Sequence, residues 1–195
     1  LAPALVEQFA ERLEVTWRPD GTGDLIATFG PEDILAYVYA LLYAPSFRAR
    51  HAGALRTDFP RIPAPSDLGT FRSLCQLGAQ LVALHLGKHN PASVPQLDGV
   101  GNNRVEQVRY VVESDGEQGV AHINGMQSFE GVAQEVWTFS IGGYQVARKW
   151  LQDRRGRVLT DEDVRRYQEV LKVIRETCAL MRRIDERFAA SQVIG

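Results

Sequence analysis

From Thr160 to the C-terminus, Val164, Tyr167, Leu171, Ile174, Cys178, Met181 and Phe188 recur at spacings of three, four and seven. That period puts them on one side of a single long α-helix, and the rest of the chain has to supply a surface for this apolar seam. Thr160 with Asp163 three residues on is an acidic variant of a capping box and marks the start. Fewer than four heptads carry the stripe, so it packs against the body of its own chain rather than into a coiled coil.

The same period recurs near the other end. Leu5, Val6, Phe9 and Leu13 share one side of a helix over residues 3–13. Leu25 to Phe29 reads as a short strand or extended entry. Gly30-Pro31-Glu32-Asp33 then opens a helix with proline in the first turn and two carboxylates at the positive end of the dipole. Its expected buried stripe is Ile34, Leu35, Val38, Leu41 and Leu42. Ser46 caps a second helix, to about Leu55, that exposes Arg48, Arg50 and Arg56. Asp58-Phe59-Pro60-Arg61-Ile62-Pro63-Ala64-Pro65 holds three prolines in six residues and forms a stiff strap. Ser66 or Asp67 caps the next helix, which runs to about Leu86.

The centre differs. In Arg104 to Glu113, Val108, Tyr110 and Val112 alternate with Gln107, Arg109 and Val111, a period of two that argues for a strand. Ser114-Asp115-Gly116-Glu117 turns it, and Val120 to Ile123 returns as a hairpin. Val132 to Ser140 is expected as a third strand with Val136 and Phe139, and with Trp137 on the other face. Gly142-Gly143 makes a tight corner before a helix over 144–152. The fold class is therefore α+β, a mostly helical domain with a small antiparallel sheet in the central segment and a long C-terminal helix. Residues 1–195 are expected to form one domain: a lead-in (1–31), a helical part with the proline-rich strap (32–90), the small sheet (91–143) and the C-terminal helices (144–195). Leu1 in place of an initiating methionine suggests a fragment of a larger protein.

Composition excludes several classes. With 45% apolar and 24% charged residues the chain is of ordinary globular make-up, and no apolar run approaches a membrane span. Cys75 and Cys178 sit in apolar helical settings and read as core side chains in a reducing compartment, which places the protein in the cytoplasm. His85 and His89 lack a third ligand at metal-binding spacing and read as surface or helix-end histidines. Gly99-Val100-Gly101 is followed by Arg104 where a dinucleotide fingerprint needs its third glycine, and no P-loop is present. Asp161, Glu162 and Asp163 are helix-start residues. No self-contained active site, metal site or cofactor site emerges.

Recognition chemistry remains. Charge alternates in blocks: residues 45–90 and 141–159 each carry a net +4, while 1–44 and 91–140 each carry −5. Arg148, Lys149, Arg154, Arg155 and Arg157 cluster beside the Gly-Gly corner, where they can reach successive phosphates or simply solvate a turn. Asn102, Asn103, Arg104, Gln107, Arg109, Asn124 and Gln127 concentrate the amide and guanidinium groups that pair with adenine and guanine edges. Asn124-Gly125 is equally a turn dipeptide. By themselves these patterns point no further than a polyanion.

Two segments carry a family resemblance: EDILAYVYALLYAPSFRARHAGALRTDFPRIPAP (32–65) and VWTFSIGGYQVARKWLQDRRGRVLTDEDVRRYQEVL (136–171). Over residues 32 to about 185 the chain resembles the C-terminal specificity region of type ISP restriction-modification enzymes and the related type IIG adenine methyltransferases. LRTDFPRIP, and the ordered set Trp137, Ile141-Gly142-Gly143-Tyr144 and Lys149-Trp150-Leu151, are the specific motifs. The resemblance implies a target recognition domain that grips double-stranded DNA and reads an asymmetric site. It also implies an upstream methyltransferase domain of the same polypeptide, which would bind S-adenosylmethionine and methylate adenine at N6. An N-P-P-[YF] motif is missing from this chain, so catalysis would belong to that neighbour. The patterned segments then act as scaffold, and discrimination falls to about Asn102–Gln127. Seven carboxylates in residues 91–140 oppose a strong phosphate grip there. Glu106 or Glu130 can nonetheless accept from cytosine. The alternative is a protein-interaction or structural module of the same multidomain protein, which an exposed apolar patch on the 32–42 helix or on the terminal helix would favour. A free-standing small enzyme is the weakest reading.

Overall fold

The computed structural model describes residues 1–57, 62–88, 95–114 and 116–192, apart from the side chains of Arg56, Ser191 and Gln192. Part of the proline-rich strap (58–61), His89 and Asp115 lie outside the described residues. The chain divides into two compact units, Leu1–His89 with Ala179–Gly195, and Asn90–Cys178. The sequence suggested a single body.

The first unit is helical. α1 (Pro3–Leu13) buries Phe9 and Leu13. β1 (Thr16–Trp17) and β2 (Thr28–Phe29) pair in parallel. The expected strand from Leu25 shrinks to these last two residues because Asp24 captures the backbone first. Its Oδ1 accepts from the amides of Ile26, Ala27 and Thr28, curling the chain and holding the Asp24 carboxyl far below its ordinary range. α2 (Pro31–Tyr43) starts as the sequence predicts, with the buried Asp33 carboxylate accepting from the Gly30 amide at 2.8 Å and the Gly23 amide at 2.6 Å. Its buried face is Ile34, Ala36, Tyr37, Ala40 and Leu41, whereas Leu35 is 58% exposed. The expected stripe is thus rotated, because Tyr37 enters the core and pushes Leu35 out.

α3 (Pro45–Arg50) begins at Ala44, not Ser46. Ser46 instead gives both its amide and its hydroxyl to Asp185, so it ties α3 to the C-terminal helix. The expected helix also breaks, since α4 (Ala54–Thr57) is separate. Asp67 caps α5 (Leu68–His85), accepting from the Thr70 amide at 2.8 Å. Phe9, Phe29, Tyr37 and Phe71 form one aromatic cluster with ring centroids 5.4–6.4 Å apart. His85 shares a 2.7 Å hydrogen bond with the Tyr39 hydroxyl. Burial lowers the His85 pKa and pushes that of Tyr39 up to about 12.

The second unit holds a four-stranded antiparallel sheet in the order β3 (Leu97–Asp98), β6 (Ser128–Phe129), β5 (Gly119–His122), β4 (Arg109–Val112). The β4–β5 hairpin falls where the period of two put it, with Arg109 opposite His122 and Val111 opposite Val120. The third strand does not. Residues Gln134–Thr138 form helix α6, and Val136 and Trp137 are both buried, which neighbours on a strand facing opposite ways would not be. One sheet face packs inward through Tyr110, Ala121, Phe129 and Leu97. Tyr110 stacks on Trp137 at 5.0 Å and lies across Gly119, where a side chain would collide with its ring.

β7 (Ser140–Ile141) and β8 (Tyr144–Gln145) form a two-residue hairpin whose turn, Gly142-Gly143, has φ of 57° and 86°. Positive φ at both central positions is the hairpin geometry that glycine adopts without strain. α7 (Val146–Gln152) follows. α8 (Asp161–Gln192) starts at the expected box, in which the Asp163 carboxylate accepts from the Thr160 amide and hydroxyl and the Asp163 amide donates to Thr160 Oγ1. Its buried stripe contains Tyr167, Leu171, Ile174, Cys178, Leu180, Ile184 and Phe188. Cys75 and Cys178 are both buried thiols. No helix among the described residues is long and apolar enough to cross a membrane.

Candidate nucleic-acid interface

Two stretches far apart in sequence meet on the second unit. Asn102–Glu106 and Arg155–Leu159 run antiparallel, joined at the Arg104–Val158 bridge. The Val105 amide donates to the Arg157 carbonyl at 2.9 Å, the Gly156 amide to the Val105 carbonyl at 2.7 Å, and the Leu159 amide to the Asn103 carbonyl at 2.9 Å. Val105 and Leu159 anchor the pair in the core. Side chains lock it: Arg104 Nη1 donates to the Gly156 carbonyl at 2.6 Å, and Arg155 Nε to the Glu106 carbonyl at 3.0 Å. The loop expected to read bases and the turn expected to grip phosphates therefore form one exposed surface.

Within it the amides have different tasks. Gln127 is 3% exposed. Its Nε2 donates to Asn103 Oδ1 at 2.7 Å, while its Oε1 accepts from the Asn103 amide at 2.8 Å and Asn124 Nδ2 at 3.3 Å. Asn124 Oδ1 accepts from the amides of Met126 and Gln127, and its Nδ2 also donates to the Arg104 carbonyl. Asn103 has a φ of 57°, a left-handed conformation that asparagine tolerates. Asn103, Asn124 and Gln127 thus form a latch behind the loop, and Gln127 is left no edge toward a base. Asn102 Oδ1 accepts from the Arg104 amide, closing a local turn. Arg104, Gln107 and Arg109 are exposed, and Gln107 and Arg109 make no side-chain hydrogen bond to a described residue.

The cations divide in the same way. Arg154 is set into the fold: its guanidinium lies 3.5 Å over the Trp150 ring, and its Nε is 3.7 Å from Asp163 Oδ1. Lys149 Nζ contacts both Asp153 oxygens, at 2.8 and 2.9 Å, and faces the Tyr144 ring, so its charge is largely matched. Arg148, Arg155 and Arg157 are exposed and offer net positive charge. The Asp163 pKa is lowered, first by the Thr160 amide and hydroxyl and then by Arg154 and Arg157. Trp150 lies on α7 and Arg154 in the turn just beyond it, so their spacing of four is the sequence signal for the stacking. Nothing in composition separates latch amides from reading amides, because both uses need the same side chains.

On the sheet face opposite the core, Arg109, His122, Ser128 and Asp98 lie in register across four strands. Ser128 and Asp98 carry no sequence signal because β6 and β3 are only two residues long, and His122 on β5 gains its place only through its cross-strand partners Arg109 and Ser128. No group of histidine, cysteine, aspartate and glutamate suited to a metal ion occurs among the described residues.

The family model described as the Type ISP C-terminal specificity domain matches residues 1–183. Among solved structures, the chain is similar to a cryoEM DrdV–DNA complex, with 21% identity, a TM-score of 0.59, and coverage of 80% of this chain and 18% of that one. It is similar also to a nuclease-deletion mutant of the Type ISP restriction-modification enzyme LlaGI in complex with a DNA substrate mimic (16% identity, TM-score 0.55, 79% of this chain, 16% of that one). A third is the ATP-dependent Type ISP enzyme LlaBIII bound to DNA (16%, 0.57, 78% and 11%). These likenesses establish a shared fold, and the chain spans less than a fifth of each of those proteins. No curated protein matches.

Proposed function

From its membership of the type ISP C-terminal specificity domain family, we propose that this chain recognises a specific sequence in double-stranded DNA on behalf of a larger restriction-modification protein. The observation that carries this is the joining of Asn102–Glu106 to Arg155–Leu159, which sets Arg104, Arg155 and Arg157 on one surface backed by the amide latch. Cations on a rigid turn fix the position of a duplex, and exposed side chains beside them select its bases. Arg148, Arg155 and Arg157 are the phosphate contacts, and Asn102, Arg104, Gln107 and Arg109 the candidates for base edges. Asn103, Asn124 and Gln127 hold the loop, and Arg154 and Lys149 support the turn.

The parent protein is proposed to be a cytoplasmic adenine-specific DNA methyltransferase of type ISP or type IIG arrangement. Its upstream domain would bind S-adenosylmethionine, which supplies the methyl group when bound. Flipping and transfer are its work, while this chain orients the duplex.

A salt titration of the full-length protein tests the electrostatic part. Arg155→Glu with Arg157→Glu should weaken binding to every duplex alike and flatten the dependence of affinity on salt. Unchanged binding across that titration would remove the assigned grip.

A second reading has its own support on the first unit. Leu25, Leu35, Ala79, Val82, Ala83 and Leu86 line an open, mainly apolar groove of about 560 Å³ between α2 and α5. Leu35 and Leu86 are 58% and 63% exposed there. That surface suits docking to a neighbouring domain, so the chain would serve as both reader and scaffold. Grafting residues 90–178 alone onto a sister enzyme should transfer site choice if the division of labour is right.

A further inference from the structure

The outward face of the β4–β5 hairpin is chemically ordered. Arg109 faces solvent opposite His122, and two residues along Val111 sits opposite Val120. Val111 is 42% exposed and Val120 and His122 are half-buried, so this β-branched pair lies open on a polar surface. β4 is the edge strand, and β6 joins β5 only at Ala121 and His122, so from the Val111–Val120 pair to its turn the hairpin projects as a two-stranded ribbon. Two strands stand about 4.8 Å apart. With side chains they fit a major groove about 12 Å wide.

Resting on the DNA-recognition reading above, we infer that the β4–β5 ribbon enters the major groove and reads two positions: a guanine through Arg109 with His122, and a thymine methyl through Val111 with Val120. Arginine offers paired donors to guanine O6 and N7, and the only methyl group in the major groove belongs to thymine. Side chains two apart on a strand are separated by roughly 7 Å. Stacked bases rise 3.4 Å per step, so the two positions are two base pairs apart. Exposed Gln107 precedes Arg109 on the same stretch of chain, and the cationic loop and turn lie at that end. Glu113 and Glu117 occupy the opposite end of the hairpin, where approach to phosphates is unfavourable. The ribbon's outward face therefore lies along the groove, with its Arg109 end nearest the cationic loop and turn.

The test uses the full-length protein and a pool of random duplexes. Wild type should enrich a site containing guanine and, two base pairs away, thymine. Replacing that thymine by deoxyuridine, which removes only the methyl, should weaken binding about fourfold, the worth of one buried methyl group. Val111→Ser with Val120→Ser should abolish the difference between thymine and deoxyuridine while leaving the guanine preference. Arg109→Ala should reduce discrimination at the guanine roughly 5- to 150-fold, and His122→Ala should lower it less. Circular dichroism of each variant confirms that the sheet persists. If wild type enriches a site but neither deoxyuridine nor these variants alter it, the ribbon is not the reader and the DNA-recognition reading stands. If wild type enriches nothing, that underlying reading fails, and this inference with it.

Discussion

Truncating Gln127 separates a latch from a reader. Gln127→Ala removes three side-chain hydrogen bonds at a position 3% exposed and leaves the Asn103 amide without its 2.8 Å partner. A neutral hydrogen bond contributes about 1 kcal/mol, and an orphaned buried donor adds about 1–3 kcal/mol. The 3.3 Å bond from Asn124 is the weakest, and the half-buried Asn103 can recover water, so the total falls near 2–4 kcal/mol. For a chain of this size each kcal/mol moves Tm by about 2–4 °C. Differential scanning calorimetry should therefore show a fall of roughly 5–15 °C. Binding to specific and random duplexes should weaken together, because the Asn102–Glu106 loop loses its support. Gln127→Glu should also destabilise, since a carboxylate cannot donate to Asn103 Oδ1. A Gln127→Ala protein with wild-type Tm and altered base preference would refute the reasoning and make Gln127 a reader.

Other expectations follow from the same contacts. Arg157→Ala should lower the salt slope of DNA binding by about 1, with Tm unchanged in calorimetry. Thr160→Ala should cost about 1 kcal/mol through loss of the α8 box, read as a lower urea midpoint with the selected site unaltered. His85 has a lowered folded-state pKa, so the unfolded chain binds more protons as pH falls through about 6.5. Stability should thus be full above that value and decline below it, and Tm at pH 5.5 should be lower than at pH 7.5, with a smaller difference in His85→Asn. Asp163 has a lowered folded-state pKa, so its contribution holds above about 4 and is lost only as pH falls further, outside the His85 window.

Long helices were legible in the sequence because several turns of period repeat before the signal ends. The boxes at Asp33 and Thr160 and the cap at Asp67 fixed their starts. Short elements were not. Five residues of α6 are too few to display a helical period by themselves, and β-branched Val132 and Val136 with aromatic Trp137 and Phe139 favour a strand by residue type. β3 and β6 exist only through pairing with distant partners. On α2 the period leaves a choice between Leu35 and Tyr37, which only the aromatic cluster settles. At the candidate site the sequence offers two distant stretches that the fold joins, but it does not show what each side chain does there. Arg154 and Arg157 look alike in sequence, yet one is stacked on Trp150 and the other stands in solvent. Asn103, Asn124 and Gln127 share the chemistry of base readers and form instead a closed network.

Chemical footprinting of arginines tests the central claim most directly. The full-length protein is treated with an arginine-specific dicarbonyl, with and without its selected duplex, and modification is quantified by mass spectrometry. The account predicts strong protection at Arg104, Arg109, Arg155 and Arg157, with Arg183 and Arg187 on α8 modified equally in both samples. Equal modification of the first four with and without duplex, or protection confined to the first unit, would contradict it.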